Sequence, residues 1–173
     1  MKAEELDRRG IVLGGYRPGA LAQTVRLHMD YYAPKWDFGI AFETKVAAEL
    51  AEFLARANAQ ADLYLTAFNT EGDLLGTVTI DAEDVATDGA HLRWFITGDA
   101  ARGTGLGREL IRQAVQFCDQ RKYGRIYLTT FAGLDAARHL YEGFGFKLVS
   151  ESDVDQWQGG VREQRFERDF ERL

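Results

Sequence analysis

The spacing of apolar side chains predicts two helices in the first third of the chain. Apolar residues between 20 and 32 recur at roughly helical intervals, and Pro34 is expected to end that helix. Residues 36–39 predict a loop. A second amphipathic stripe covers 42–57, formed by Phe42, Val46, Ala47, Leu50, Phe53 and Leu54. This three- and four-residue spacing predicts a helix with one buried face.

After residue 60 the pattern changes to short segments that are typical of strands. Segments 62–69 and 74–81 flank the sequence Thr70-Glu71-Gly72-Asp73, which is typical of a tight turn and predicts a β-hairpin. The polar stretch 81–89 predicts a loop. In segment 90–97, polar and apolar side chains alternate again, which predicts a further strand.

Helices and strands alternate from residue 105 onwards. One helix is predicted by an apolar face that contains Leu106, Leu110, Ile111, Ala114, Val115 and Cys118. A strand at 126–130, a helix at 134–144 and a final strand pair at 146–151 and 161–170 complete the series. The charged tail at 163–172 predicts a strand with one solvated face. Together the segments predict an α/β (α+β) protein with a central mixed sheet flanked by helices.

Composition narrows the class of protein. The chain has 173 residues, of which 46% are hydrophobic and 28% charged, so we expect one globular domain over 1–173. A net charge of -6 argues against general binding to nucleic acid or to anionic membranes. With three scattered histidines and one cysteine, Cys118, we expect neither a disulfide nor a dedicated metal site. Without a signal core or an apolar run of membrane-spanning length, a cytoplasmic protein is the default expectation.

A glycine-rich loop lies between the strand that ends near Thr97 and the following helix. Gly103, Gly105 and Gly107 let backbone N–H groups approach a ligand, and a helix start favours an anion. A P-loop is excluded because Gly107 is followed by Arg108-Glu109, and a dinucleotide fingerprint would need glycine at 108. The residues predict a diphosphate site; a simple tight strand–helix turn is the alternative.

Two motifs resemble the GNAT superfamily of acyl-CoA N-acyltransferases. Arg102, Gly105 and Gly107 fit its signature of Arg or Gln, two residues, Gly, one residue, then Gly or Ala. Downstream, Leu140-Tyr141-Glu142 and the later Gly145-Phe146 look like the end of the family's fourth helix. The likeness is strong over about residues 60 to 151. The N-terminal half is similar to GNAT modules that occur fused behind winged-helix repressor domains.

The resemblance implies a fold and a cofactor site. It implies a mostly antiparallel, six- to seven-stranded mixed sheet with about four helices, splayed between its fourth and fifth strands. The pantetheine arm of acetyl-CoA would lie in this splay and pair with backbone groups near Phe95, Ile96 and Thr97. Asp135 stands where many members carry Asn at a pantetheine contact. The implied phosphate contacts are Arg102, Gly103, Thr104, Gly105, Leu106, Gly107 and Arg138.

The resemblance also implies direct attack of a neutral amine on the thioester of acetyl-CoA, without a metal. Tyr141 would act as general acid towards the departing thiolate, and a backbone N–H of the splayed strand would stabilise the oxyanion. The general base is left open. Glu43 is the tentative choice, and His91, Asp99 and a water chain are the alternatives.

Three functions are compatible with these residues. The leading one is an N-acetyltransferase acting on a primary amine of a small molecule or protein. The sequence does not identify this acceptor, and it is compatible with a homodimer. A non-catalytic acyl-CoA-binding module of the same fold and a nucleotide-binding α/β protein are the alternatives. Cys118 is expected to be a small buried hydrophobe. The remaining aromatic residues form either core or an acceptor pocket: Tyr31, Tyr32, Trp36, Phe38 and Phe42.

Overall fold

A computed structural model describes residues 3–170 of the chain. It begins with a short helix α1 (Ala3–Asp7) and a short strand β1 (Val12–Gly14), which the hydrophobic pattern did not predict. Two long helices follow, α2 (Ala20–Trp36) and α3 (Ile40–Arg56). The later elements are β2 (Leu63–Phe68), β3 (Leu74–Asp81), β4 (Ala90–Thr97), a 3₁₀ turn (Asp99–Ala101), α4 (Leu106–Arg121), β5 (Arg125–Phe131), α5 (Asp135–Gly143), β6 (Lys147–Ser152) and β7 (Glu163–Asp169).

The helix predicted at residues 20–32 corresponds to α2. The prediction that Pro34 ends it was wrong, because α2 continues to Trp36. Proline removes one N–H donor and disturbs the preceding turn, and in the last turn of a helix little structure remains to be broken. The helix instead ends at Asp37, whose backbone is left-handed and whose N–H donates to the Ala33 carbonyl at 3.1 Å.

Seven strands form one sheet in the order β1-β2-β3-β4-β5-β7-β6. All neighbouring strands are antiparallel except β4 and β5, which are parallel. The predicted mixed sheet, the β2–β3 hairpin and the final strand pair are therefore confirmed. The predicted tail strand ends at Asp169, and its last two residues, 171–172, lie outside the described residues.

The sheet separates between β4 and β5. Their ladder contains only the pairs Ala90 with Ile126 and His91 with Tyr127, both at the amino-terminal ends of the strands. Further along, Thr77 of β3 pairs with Ile96 of β4, and Thr79 pairs with Arg93. Between these two pairs β3 has one residue and β4 has two, so β4 bulges. Such a bulge bends a strand and increases its twist. The result is a V-shaped opening towards the carboxyl ends of β4 and β5, which confirms the predicted splay.

Helices cover both faces of the sheet beside this opening. On one face α4 buries the whole predicted stripe, and Leu110, Ile111 and Cys118 are completely inaccessible to solvent. Fully burying a leucine or isoleucine contributes about 1.5–3 kcal/mol. Burial also raises the pKa of the Cys118 thiol to about 12, as expected for a small buried hydrophobe. On the other face, α2 and α3 pack an aromatic cluster around Phe38 and Phe131.

A network of charges holds α3 against the sheet. Arg56, at the end of α3, donates two hydrogen bonds to the Asp81 carboxylate, at 3.1 and 2.7 Å. Arg93 of β4 contacts Asp81 as well and bonds to Glu49 of α3. Burial alone would raise the pKa of Asp81, but the bonds from Arg56 bring it below its ordinary value. Asp81 is therefore ionised and compensates two guanidinium groups.

Replacing Asp81 with asparagine is expected to destabilise the fold. The neutral amide would remove the buried carboxylate that Arg56 and Arg93 share and leave them only their more exposed partners, so we expect the free energy of unfolding to fall by about 2 kcal/mol. Because the pKa of Asp81 is lower in the folded state, its contribution is present at neutral pH and is lost as the pH falls through that value. Urea denaturation of both proteins at several pH values measures this difference.

Asp30→Asn is the matched control. Asp30 pairs with Arg26 at 2.8 Å on the surface of α2, and both side chains are mostly exposed. Exposed pairs of this kind contribute about 0–1 kcal/mol. Equal losses of stability in the two variants would contradict the role given to Asp81.

Candidate active site

The V-shaped opening contains a cavity of about 120 Å³. Its walls are the separating strands, β4 and β5, and it is closed by side chains from α2, α3, α5 and the β6–β7 loop. A complete drug-sized ligand usually occupies about 300–1,000 Å³, so this cavity fits the reacting ends of two substrates better than a whole cofactor.

The glycine loop before α4 has the conformation that an anion site needs. Gly103 (φ +73°) and Gly105 (φ +78°) are both left-handed, which explains the need for glycine there. The Thr104 hydroxyl accepts the Leu106 N–H at 3.3 Å and donates to a carbonyl of the preceding turn at 2.6 Å. Within residues 3–170, four amides of this segment have no hydrogen-bond acceptor, those of Gly103, Gly105, Gly107 and Arg108. Unpaired donors at a helix start suit an anionic group.

Gly107 has a different role, because it lies in the first turn of α4 rather than in a left-handed turn. A Cβ atom there would lie 3.5 Å from the Phe95 ring and 3.6 Å from the Thr97 methyl group. The absence of a side chain thus brings the start of α4 close to β4. The glycine loop and β4, which the resemblance assigned to one cofactor site, are therefore neighbours in space.

The outer edge of β4 is open beside this loop. Ile96 and Thr97 face β3 residues Thr77 and Gly76 on one side. Among residues 3–170, no strand pairs with the other side of β4 beyond His91. Polar backbone groups near Phe95, Ile96 and Thr97 therefore border the opening, where an extended ligand could pair with them.

Trp94 marks the point where β4 bends away. It has a φ of +45°, which is unusual for a bulky residue, and its side chain lines the cavity. The Arg93 guanidinium lies 4.1 Å from the centre of its ring, and Phe53 packs 5.7 Å away. Strained backbone of this kind concentrates at functional sites, where the surrounding packing holds it in place.

The charged residues predicted near the cofactor lie on the surface. Arg102 is exposed and bonds to Asp99 at 2.6 Å, while Arg138 of α5 bonds to Glu142 at 2.8 Å. Asp135 is the exposed first residue of α5. Exposed ion pairs are weak, so both arginines can exchange these partners for a more highly charged ligand.

Tyr141 reaches the cavity from α5 and is almost completely buried. Its ring packs against Phe95 at 5.9 Å and against Phe146 and Phe166 at 6.1 Å. Burial raises its pKa above the ordinary value, so the phenol keeps its proton at physiological pH. No group within residues 3–170 forms a hydrogen bond with its hydroxyl, which is therefore available to a ligand.

The candidate bases have very different positions. Glu43 is exposed on α3 and is not among the cavity-lining residues, so the structure gives no support to it as the base. Asp99 is also exposed and paired with Arg102. His91 does line the cavity, at the closed end of the V, where its ring stacks on Tyr127 at 4.3 Å. Burial, followed by the nearby Arg93, lowers the pKa of His91 to about 3.

Several cavity residues were not recognised from the sequence. His28 of α2 lies one helical turn before Tyr32, and this spacing could have placed both on one face. Glu49 and Arg93 face the cavity from α3 and β4, where their pairing depends on tertiary packing. Trp157 comes from the β6–β7 loop, which has no periodic pattern.

The aromatic segment turned out to have two roles. Tyr32 and Phe42 line the cavity, whereas Phe38 is buried in the core against Phe131. Tyr31 and Trp36 pack on this cluster as well, Trp36 at 5.3 Å from the Phe131 ring. Core packing is therefore found for this segment, while an acceptor pocket formed by Tyr32 and Phe42 stays a prediction.

The described residues contain neither a metal-binding group of side chains nor a membrane-spanning helix. From residue 3 to residue 170, no group of three or more His, Cys, Asp or Glu side chains is arranged to hold a metal ion. In the same range, no helix combines the length and the apolar character needed to cross a bilayer.

A sheet that splits between two parallel strands, next to a glycine-rich helix start, defines the class of GNAT-fold proteins. The model of the Acetyltransferase (GNAT) family matches residues 22–146. The chain therefore belongs to the GNAT acetyltransferase family.

Solved structures have the same fold. An acetyltransferase from Streptococcus agalactiae aligns with a TM-score of 0.73 and 23% identity, over 94% of this chain and 99% of the other. Spermidine N-acetyltransferase from Vibrio cholerae, in complex with CoA and spermine, aligns with a TM-score of 0.68 and 20% identity, over 92% and 95%. At these identities the likeness concerns the fold alone.

One curated relative is similar in sequence. N-acetylaspartate synthetase of Danio rerio is 32% identical over 101 residues, which cover 58% of this chain. The match covers 35% of that protein, so this chain corresponds to about a third of it.

Proposed function

We propose that this protein is an N-acetyltransferase that transfers the acetyl group of acetyl-CoA to a primary amine by direct attack. The observation that carries the proposal is the combination of an open β4 edge, four unpaired amides around the start of α4 and the unbonded Tyr141 hydroxyl in the cavity. Family membership supports it, and the Vibrio cholerae neighbour was solved in complex with CoA and spermine.

The donor would lie along β4 with its diphosphate on the glycine loop. Amides of Gly103, Gly105 and Gly107 would bind phosphate oxygens, and the pantetheine arm would pair with the edge near Phe95 and Thr97. Asp135, at the start of α5, and the two surface arginines, Arg102 and Arg138, complete the proposed contacts. The thioester would then reach the cavity.

The reaction needs a neutral amine, a stabilised oxyanion and a proton for sulfur. The amine nitrogen attacks the carbonyl carbon, the C–N bond forms, and the C–S bond then breaks. A β4 backbone N–H next to the Trp94 bulge would stabilise the oxyanion. Tyr141 would protonate the departing thiolate, since its phenol is protonated at physiological pH and its hydroxyl has no other partner within residues 3–170.

Thiol release tests the proposed function directly. Acetyl-CoA is incubated with the protein and a panel that contains L-aspartate, spermidine, simple alkylamines and a peptide with a free N-terminus. We expect amine-dependent release of free CoA with at least one class. Tight binding of acetyl-CoA without release by any amine would instead indicate the non-catalytic module.

A charge placed in the glycine loop is expected to weaken donor binding. Gly103 faces open space, and both Asp and Asn tolerate a left-handed backbone, so Gly103→Asp and Gly103→Asn can fold alike. Only the aspartate adds a negative charge beside the diphosphate. We expect the Kd of CoA to be about tenfold higher for Gly103→Asp than for Gly103→Asn, a difference of about 1.4 kcal/mol, measured by calorimetry. Equal Kd values would place the diphosphate elsewhere.

Removal of the Tyr141 hydroxyl is expected to affect chemistry rather than binding. Tyr141→Phe keeps the aromatic packing, so we expect kcat to fall by about 100-fold while the Kd of acetyl-CoA changes little. Tyr123→Phe is the control, because the Tyr123 hydroxyl bonds to the Ala61 carbonyl away from the cavity. An unchanged kcat in Tyr141→Phe would remove the general-acid role, and a loss in Tyr32→Phe alone would transfer it to Tyr32, which also lines the cavity.

A further inference from the structure

His28 is a buried histidine that faces the cavity from α2. Its side chain is 5% exposed, and its Nδ1 lies 2.8 Å from the Thr24 carbonyl oxygen. A carbonyl can only accept, so Nδ1 must carry the hydrogen. The other ring nitrogen, Nε2, then carries a lone pair in the neutral imidazole.

The Nε2 atom has no partner within residues 3–170. Among the described residues, Nε2 is not one of the enclosed polar atoms that lack a partner, so it is open to the cavity, where a ligand can reach its lone pair. The ring is flanked by aromatic side chains, with Tyr32 at 6.1 Å and Phe42 at 6.4 Å between ring centres. The helical hydrogen bond to Thr24 and these two rings fix the direction of the lone pair.

The other proton acceptors around the cavity are occupied or poorly placed. Glu49 is bonded to both Lys45 and Arg93, so its charge is already neutralised. His91 lies where β4 and β5 still pair, and its ring is stacked face to face on Tyr127. His28 reaches the cavity from α2 and not from β4 or β5, so a donor lying along β4 does not need its position.

We propose that Nε2 of His28 is the general base, which accepts a proton from the attacking amine. This inference rests on the proposed acetyl transfer. As the C–N bond forms, the nitrogen gains positive charge, and one N–H proton passes to Nε2. The C–S bond breaks while Tyr141 gives its proton to sulfur. The products are the amide and free thiol, and transfer of the proton from the imidazolium to the tyrosinate, through water, restores both residues.

Burial keeps the histidine unprotonated before this step, so that Nε2 has a lone pair for the proton. It lowers the pKa of His28 to about 4, against the opposing effect of the bond to Thr24. The titratable and charged groups that share its cavity are Tyr32 of α2, Lys45 and Glu49 of α3, His91 and Arg93 of β4, and Tyr141 of α5. The ring is thus neutral at physiological pH, and its function as a base is lost only as the pH falls towards about 4. At neutral pH the rate should follow deprotonation of the amine instead.

His28→Gln provides the test, with the amine that gives the fastest thiol release and with hydroxylamine as a second acceptor. We expect kcat for the amine to fall by about 100-fold at neutral pH, with the KM for the amine and the Kd of acetyl-CoA little changed. Attack by weakly basic hydroxylamine creates a more acidic N–H, which water can remove. Its turnover should therefore fall much less.

His139→Gln is the matched control, because His139 is exposed on α5, and its rates should equal those of the wild type. Thermal unfolding of His28→Gln, with His28→Asn as a second variant, separates loss of a base from loss of fold. An equal loss for both acceptors, or an unchanged kcat with the amine, would overturn the assignment while the acetyl transfer stands. Wild-type protein that releases no thiol with any amine would refute the proposed function itself, and His28 with it.

Discussion

The ladder between β4 and β5 stops at the amino-terminal ends of the two strands. Only two residue pairs join the strands before the Trp94 bulge turns β4 aside. Each strand then borders a space in which its polar backbone groups lack the partners that a closed sheet would supply. Such groups need water or a ligand. The same local irregularity therefore removes sheet hydrogen bonds and creates the position where an extended ligand can replace them.

The opening persists because both faces of the sheet are held from outside. The apolar stripe of α4 covers one face, and the absence of a side chain at Gly107 brings its first turn against β4. On the other face, α3 is attached through the Arg56–Asp81 pair and through Arg93, whose guanidinium also covers the Trp94 ring. Contacts with its neighbours thus hold Trp94 in its strained conformation, as is general for strained residues at functional sites.

The sequence allowed prediction of the sheet, most helices and the glycine loop, because these features depend on local periodicity and on backbone conformations that only glycine adopts readily. The loop and Tyr141 were identified through motifs with fixed spacing. No motif of this kind indicates the proposed base. Glu43 was chosen for its place at the start of a helix, but a one-position difference on a helix turns a side chain by about 100°. The spacing of His28 and Tyr32 places both on one face of α2, but packing between α2 and the sheet decides that this face meets the cavity.

Charge compensation in the cavity has a chemical consequence. Lys45 and Arg93 both pair with Glu49, and Arg93 also pairs with Asp81, so two cations face two carboxylates. His28 and Tyr141 are both kept neutral by burial. An ammonium ion entering this space would lose hydration without finding an unpaired carboxylate among the residues that line it. A neutral amine loses less, and only the neutral amine has the lone pair needed to attack a thioester. The same burial that leaves the imidazole unprotonated and the phenol protonated therefore also favours the reactive form of the acceptor.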